Sequence, residues 1–512
     1  MKPGIHDLSA TPPPERLTTD VLIIGSGSGG GTAARVLAEA GRQVTVVEEG
    51  GDFTGKKLTQ RDSQMYDQLY MDRGGRATVD LSIAVLQGRV LGGGGVINAS
   101  DVVPIPPGVL EFWRRRHGLT ELTDETIRPY TEQALVDLSA SRIREDQVNR
   151  ANRLVRQGTD KLGLRGEVMM HNRVGCAGLG TCLIGCPIDA KQSPRMKAVP
   201  AAIAAGARFL TRTRAVRIED SDRPMKRVIA RTLDGRGYHE TGELEIEART
   251  VIVAANAIGT AQLLLRSGIG NEHVGRHVSL QPQLPISALF DDRVEAFYGI
   301  PQSYAVTEHE DEHDTEHGLW GFRMEPVMGT PGIVASLMPF TGHAGKAMMR
   351  RYPFIASALL LTPDDPSGRV TVTDEADGGR PVIHYDHLEN HKVRLRQAIR
   401  VGARIYLAAG AKEVLVLTTP ALRIRSEADL AQVDDLRFPP ASAALVSAHQ
   451  QGGVRMSSSP SSGTASPDGQ VYGTKGVYVF DSSWFPSSSS SHTMTPIITL
   501  SRYLSERLLA SV

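Results

Sequence analysis

The strongest constraint on the fold lies near the start of the chain, where residues 20–49 read DVLIIGSGSGGGTAARVLAEAGRQVTVVEE. An apolar run, a glycine-rich turn, an alanine- and leucine-spaced helix and a second apolar run ending in acid make a βαβ unit, two parallel strands joined by a helix. Gly25, Gly27 and Gly30 give the G-x-G-x-x-G spacing. The first permits the tight turn and the second lets backbone approach a pyrophosphate. The third lets helix and strand pack closely, with the helix N-terminus favouring the phosphate charge. Glu48, closing the second strand, is placed to accept from a ribose hydroxyl. These residues predict a bound dinucleotide and leave NAD and FAD both open.

With 512 residues the chain has room for several core-forming units of roughly 100–200 residues each. Its 57 Lys and Arg balance 57 Asp and Glu, so it lacks the global basic field that nucleic-acid binding needs. Residues 1–17 hold no apolar stretch behind a basic start and are expected to be a disordered tail rather than a signal peptide. No run of about 18 uncharged apolar residues predicts a transmembrane segment. Three cysteines, an odd number in so long a chain, argue against a disulfide framework and favour the cytoplasm.

Glycine makes up 52 of the 512 residues, about 10% against a usual figure of about 7%, so where it concentrates is informative. The second dense cluster is GRVLGGGGVINA, residues 88–99, with four consecutive glycines at 92–95. Bounded by Arg89 and by Val96-Ile97-Asn98, it is better explained by a closely approached backbone, where a Cβ would strike a ligand, than by a flexible linker. A third segment, NAIGTAQLLLRSGIG at residues 256–270, follows the apolar run VIVAA and predicts a strand returning to the nucleotide-binding sheet, then a helix.

At these three segments, and at SAHQQGGVRM (447–456) and VFDSSWFPSSSSSHTMTPIITL (479–500), the chain resembles the glucose-methanol-choline (GMC) family of FAD-dependent alcohol oxidoreductases. Asn256 and Ala261 depart from the small residue and the proline or serine expected in the third motif. The resemblance implies an α/β protein, α+β overall. Its Rossmann-like FAD domain is expected to be discontinuous, over 18–280 and 431–512, with a cysteine-containing excursion near 170–195. An antiparallel-sheet substrate domain is expected at 281–430. Gly25, Gly27, Gly30 and Glu48 are then expected to hold the ADP half of FAD. Arg89, Gly93 and Asn98 are expected along the pyrophosphate and flavin, and Asp481 and Thr493 against the cofactor as well.

Oxidising an alcohol by hydride transfer needs a base for the hydroxyl proton, and a neutral imidazole can serve as one. His449 and His492 match the family's active-site pair. The resemblance allows either to be the base while the other positions the hydroxyl, and His449 is the favoured base. Thr495 and Pro496 predict the start of a helix just after His492.

The three cysteines fall together in GCAGLGTCLIGCPIDAK as Cys176, Cys182 and Cys186. Such clustering points to a common role. It suits a three-iron iron–sulfur cluster, as in the FAD-dependent sugar dehydrogenases this segment resembles, or a structural glycine and cysteine loop. Thr307 to His317, with His309, His313 and His317 four apart, reads as a solvated acidic edge. The serines at 487–491 read as a tight loop of small residues beside the site.

The expected reaction is oxidation of a small-molecule alcohol, sugar-like or otherwise polar, to an aldehyde or ketone. Oxygen, a quinone or an electron-transfer protein would accept the electrons. The alternatives are a long-chain or sterol alcohol oxidase using oxygen, and a flavin-binding protein without catalysis.

Overall fold

The computed structural model describes residues 1–512 except 12, 315–317, 320, 490, 491 and 512. Two sheets dominate it. The first has eight strands, in the order Gly4–Asp7, Arg208–Thr211, Val44–Glu48, Arg16–Ile24, Glu240–Val253, Lys226–Leu233 and Thr213–Glu219, with Val477–Val479 also paired to Glu240–Val253. The strands flanking Arg16–Ile24 run parallel to it, while Lys226–Leu233 and Thr213–Glu219 form an antiparallel ribbon. Val44–Glu48 is buried along its whole length, as a strand covered on both faces must be. Helix Ser28–Glu39 follows the first glycine turn and packs against the C-terminal helix Met494–Ser511. Gly29 allows this close fit, since a Cβ there would stand 1.7 Å from the Phe480 carbonyl oxygen, just past Val477–Val479, and 3.3 Å from Ile497 Cγ2 on the C-terminal helix.

Gly4–Asp7 corrects the expectation of a disordered tail: it is an edge strand in parallel register with Arg208–Thr211. Four residues suffice because the backbone ladder, rather than an apolar core, satisfies this edge.

The second sheet is antiparallel throughout, in the order Leu422–Ile424, Glu413–Val416, Leu284–Leu289, Ile355–Leu361, Phe322–Pro326, Tyr304–His309 and Gly166–Val168. Its last strand comes from the stretch between the nucleotide motifs, ahead of the main block of the sheet. Alternation divides its two faces. Ile286, Met324 and Leu360 meet the long helix Glu389–Ala408 at Gly402, where a Cβ would stand 2.7 Å from Ile286 Cδ1. Pro285, Ser287, Ser357 and Leu359 face the other way, toward a cavity between the two sheets.

Of the three spaced histidines, His309 pairs with Glu312 through Nδ1 at 2.6 Å; His317 and the side chain of His313 lie outside the described residues. Ser487, Ser488 and Ser489 are buried, whereas 490 and 491 lie outside the described residues. Among the described residues no helix is long and apolar enough to cross a membrane.

At Gly30 an added Cβ would stand 2.0 Å from the Gly25 carbonyl oxygen, with Ile23 at 3.1 Å behind it. Gly30→Ala is therefore expected to cost about 1–3 kcal/mol through overpacking. Denaturant unfolding of the variant against the wild type checks this.

Candidate active site

A cavity of about 650 Å³ runs between the two sheets. It is bordered by Glu48, Arg214, Val216 and Ala255, by Gly25–Gly29 and Gly93–Gly95, and by His449 and His492. The two glycine clusters touch: Gly93, at φ +58, would place a Cβ 2.7 Å from Gly27 Cα. A Cβ at Gly94 would meet nothing within 4 Å, and it borders the cavity. Bare backbone thus lines the passage where a pyrophosphate and a flat ring system need close approach; the expected Gly25, Gly27 and Gly93 border it, while Gly30 packs behind Gly25 and does not.

The remaining cofactor candidates are also placed here. Glu48 accepts from Ser26 N and Oγ at 3.1 and 2.6 Å and from Gly50 N at 2.7 Å, so it braces the first glycine turn from the cavity wall. Burial raises its pKa even against those donors. Asp481 accepts from Thr260 Oγ1 at 2.6 Å and Ser483 N at 2.8 Å, and burial again raises its pKa. Asn98 donates to Met494 Sδ at 3.2 Å, and Thr493 borders the cavity.

Arg89 requires a correction. It borders the cavity, but its guanidinium is bound to the carbonyls of Gly237, Arg236 and Asp67 at 2.8, 3.2 and 3.3 Å and lies over the Tyr238 ring. A fork committed to three carbonyls holds the loop below the glycines instead of reaching for a phosphate.

The helix after His492 starts earlier than expected. Ile497 N bonds to the Thr493 carbonyl at 3.0 Å, so Thr495 lies inside the first turn and does not cap it. The departure at Asn256 is accommodated too: its φ is +66, a conformation asparagine tolerates, and its Oδ1 accepts from Ile258 N, Gly259 N and Gln87 Nε2.

The two histidines meet edge to face, with ring centroids 5.0 Å apart and planes at 71°. His449 follows the strand Leu445–Ser447, which pairs in parallel with Ile83–Val85 just ahead of the second glycine cluster. It is zipped to the QPQ segment by bridges between Ser279 and Gln451 and between Gln283 and Val446. Those bridges bring Gln281 Oε1 to 2.7 Å from His449 Nδ1 and Gln283 Nε2 to 2.9 Å. With Gln281 Oε1 as the acceptor at 2.7 Å the proton lies on Nδ1 and Nε2 keeps its lone pair, an assignment that goes with one orientation of the two glutamine amides. With the Gln283 amide oriented oxygen-inward, its otherwise unpartnered buried Oε1 accepts from the same N–H.

His492 faces a carboxylate. Its Nε2 stands 3.0 and 2.8 Å from the two oxygens of Glu325, which also accepts from Gln302 Nε2 at 2.7 Å and Arg323 Nε at 3.1 Å. Burial disfavours the imidazolium, but Glu325 and the nearby Asp101 outweigh it, so the His492 pKa lies above its ordinary value. Burial and the charge on His492 push His449 down to about 3. The pair therefore holds one charged and one neutral imidazole.

Sequence reasoning missed Glu325 and Asp101. The signal for the first was in F-R-M-E-P: alternation puts Arg323 and Glu325 on one face of an otherwise apolar strand, the face shared with Leu359 and Leu361. Asp101 is fixed by its bridge to His171, a contact 70 residues distant in sequence that no local pattern marks.

Cys176 and Cys186 are half-buried and Cys182 is buried, all with free thiols. Arg173 Nη1 stands 3.3 Å from Cys182 Sγ and 3.7 Å from Cys176 Sγ. An iron–sulfur cluster needs three thiolates converging on metal. Here two of the three sulfurs converge on a guanidinium, so the loop does not fit the cluster.

Comparison with known proteins agrees with this geometry. The GMC oxidoreductase family matches over residues 66–283 and 363–501, and a Rossmann-like NAD(P)-binding domain matches over 23–85. An uncharacterized GMC-type oxidoreductase of Mycobacterium tuberculosis is 31% identical over 504 residues, covering 98% of this chain and 77% of that protein. A long-chain-alcohol oxidase of Arabidopsis thaliana is 27% identical over 517 residues, 97% of this chain and 68% of that protein. Formate oxidase of Aspergillus oryzae RIB40 shares the fold with a TM-score of 0.71 at 15% identity, covering 98% of this chain and 99% of that one. The chain belongs to the GMC oxidoreductase family, which implies FAD as its cofactor and makes it an oxidoreductase acting on CH–OH groups.

Proposed function

We propose that the protein oxidises the CH–OH group of an alcohol with an apolar body, a long-chain primary alcohol in the first instance, to the aldehyde, with oxygen as the electron acceptor. The observation that carries this reading is a pair of imidazoles, one charged and one neutral, on a cavity that also carries apolar surface. Its wall includes Pro285, Leu359, Leu361, Ile333, Leu337 and Met338, and the Ser287 and Ser357 hydroxyls on the same sheet face bond to each other at 2.8 Å. A sugar would leave its hydroxyls without partners against that wall. The reading therefore departs from the polar alcohol favoured by the sequence, and the relatives that act on long-chain alcohols favour the same change.

FAD, when bound, takes up the hydride from the carbinol carbon. The residues of this chain do the rest. His449 Nε2 accepts the hydroxyl proton, and its Nδ1–H stays on Gln281. His492, held as imidazolium by Glu325, donates to the substrate oxygen and stabilises the negative charge that develops there. That charge also opposes the depression of the His449 pKa by His492, so the base gains proton affinity as the proton moves. Gly25, Gly27, Gly93, Asn98, Asp481 and Thr493 form the surface against which the cofactor would be held, with Gly30 packed behind Gly25.

His449→Ala and His492→Ala are each expected to retain FAD and to slow alcohol-dependent flavin bleaching by about 10²–10⁴-fold. Full rates in both would overturn the assignment. Because the His492 pKa is raised, its charged form persists below that pKa and is lost as pH rises through it, so the bleaching rate falls on the alkaline side. Glu325→Gln removes the main opposing charge and should move that alkaline limb to lower pH, as a stopped-flow pH profile would show.

Across a series of primary alcohols, each added CH₂ is expected to gain roughly 0.8 kcal/mol, or about fourfold in kcat/KM, until the apolar wall is filled. Faster bleaching by glucose than by any long-chain alcohol would defeat the substrate reading. Hydrogen peroxide formed on admitting air would support oxygen as acceptor; reoxidation by quinone or dye alone would replace it.

A further inference from the structure

None of the three cysteines borders the cavity, although Leu183 between them does, and a line of neighbouring groups leads from them to His492. Arg173 divides its donors: Nη1 to the sulfurs of Cys182 and Cys176, Nη2 to the Ala99 carbonyl, and Nε to His171 Nδ1 at 2.8 Å. A donor on Nδ1 fixes His171 as the Nε2–H tautomer. That nitrogen donates to the Gln302 carbonyl at 3.0 Å and stands 2.8 Å from Asp101 Oδ1, an ion-pair contact without hydrogen-bond alignment. Asp101, Glu325 and His492 each offer a ligand-type atom within 4.8 Å of the other two, and all three are buried. Gln302 itself donates to Glu325 through Nε2. Lys191 secures the same loop from below, donating to the carbonyls of Val96, Asn98 and Cys182 at 2.8, 2.5 and 2.8 Å.

We propose that Arg173, seated on the sulfurs of Cys176 and Cys182, is a positioning residue for His492 that acts through His171 and Asp101. The inference rests on the reading of His492 as a catalytic group. In it the cysteines serve as hydrogen-bond acceptors that hold a guanidinium, and they neither ligate metal nor carry electrons.

The charges around the line set its direction. Asp101 is faced by His171 and Arg173 from the cysteine side, by Lys191 from the same loop, and by His492 from the C-terminal segment. Glu325 and Arg323 face His492 from the sheet, and His449 faces it across the cavity. Burial and Arg173 keep His171 below its ordinary pKa, hence neutral. Asp101 therefore keeps its full negative charge for His492. The carboxylate stays ionised despite its burial because His171, His492 and Arg173 surround it.

The experiment compares full-length holoenzymes. Cys176→Ser with Cys182→Ser keeps an acceptor at both positions and is expected to retain FAD and a bleaching rate near that of the wild type; alanine at both is expected to lose roughly ten- to a hundredfold. Arg173→Met should lose as much in kcat with little change in KM. Asp101→Asn should shift the alkaline limb of the pH profile to lower pH. An activity-independent measurement runs beside these, the affinity of the bound flavin for sulfite, an anion. At alkaline pH it should weaken in Asp101→Asn, where His492 loses its charge sooner.

Iron and sulfide at stoichiometric levels in anaerobically purified protein would overturn the proposal, as would loss of activity in the double serine variant with flavin content intact. It would also fall if Arg173→Met lost no activity and Asp101→Asn left both the pH profile and sulfite affinity unmoved. If no alcohol bleaches the wild-type flavin, the functional reading fails on its own terms, and the sulfite and iron measurements still decide the role of the loop.

Discussion

Glu325 is a carboxylate with no exposure to solvent, set in a buried strand whose only other charged residue is Arg323. A charge in that position persists only where opposing charge and donors meet both oxygens. Arg323 approaches from its own strand, Gln302 from the neighbouring segment, and His492 from the far end of the chain. The last contact spans the two sheets. It turns the imidazole toward the cavity and favours its protonated form, and that charge adds to burial in holding the neighbouring His449 neutral. Opposite roles for two identical side chains thus follow from one buried acid, and the antiparallel sheet is a wall of the active site as much as a support for the substrate.

Shape complements charge. At Gly27 and Gly93 the two glycine clusters come so close that Gly93 cannot carry a side chain, whose Cβ would stand 2.7 Å from Gly27 Cα. The wall of the gap between the sheets combines bare backbone at Gly25–Gly29 and Gly93–Gly95 with the side chains of Glu48 and Arg214, the two histidines, and the aliphatic Pro285, Leu359 and Leu361. Close backbone approach, titratable groups and apolar surface thus meet within one cavity.

Much of this was legible in the sequence because it is local. Gly25, Gly27 and Gly30 sit within one turn, and His449 and His492 each lie in a motif of a few residues. What was illegible is carried by contacts between segments far apart in the chain. Arg89 adjoins a cofactor motif, yet its guanidinium is claimed by carbonyls near residue 237. Thr495 has the composition of a cap but falls inside the turn that Thr493 opens. Gly4–Asp7 has no apolar pattern and is ordered by a ladder to residues 208–211, which sequence proximity cannot reveal. The cysteines are the clearest case. Their spacing suits a cluster, and only the position of Arg173, three residues before the first of them, shows what two of the sulfurs hold.

The buried network of Arg173, His171, Asp101, His492, Glu325 and Arg323 is not explained by stability. Replacing such a set with apolar residues of similar volume is often neutral or stabilising, whereas removing one partner costs about 3–5 kcal/mol. A fold selected only to persist would have filled this space with aliphatic side chains like those at Ile286 and Leu360 on the opposite face of the same sheet. Keeping six interdependent polar groups makes sense where a charge must stand at one place with one orientation, as at the substrate oxygen. The same reasoning accounts for sulfur at Cys176 and Cys182. A carboxylate there would neutralise Arg173 and draw it away from His171, and an aliphatic residue would leave its donors without partners. A thiol, a weak neutral acceptor, holds the guanidinium while leaving its charge directed along the line toward Asp101.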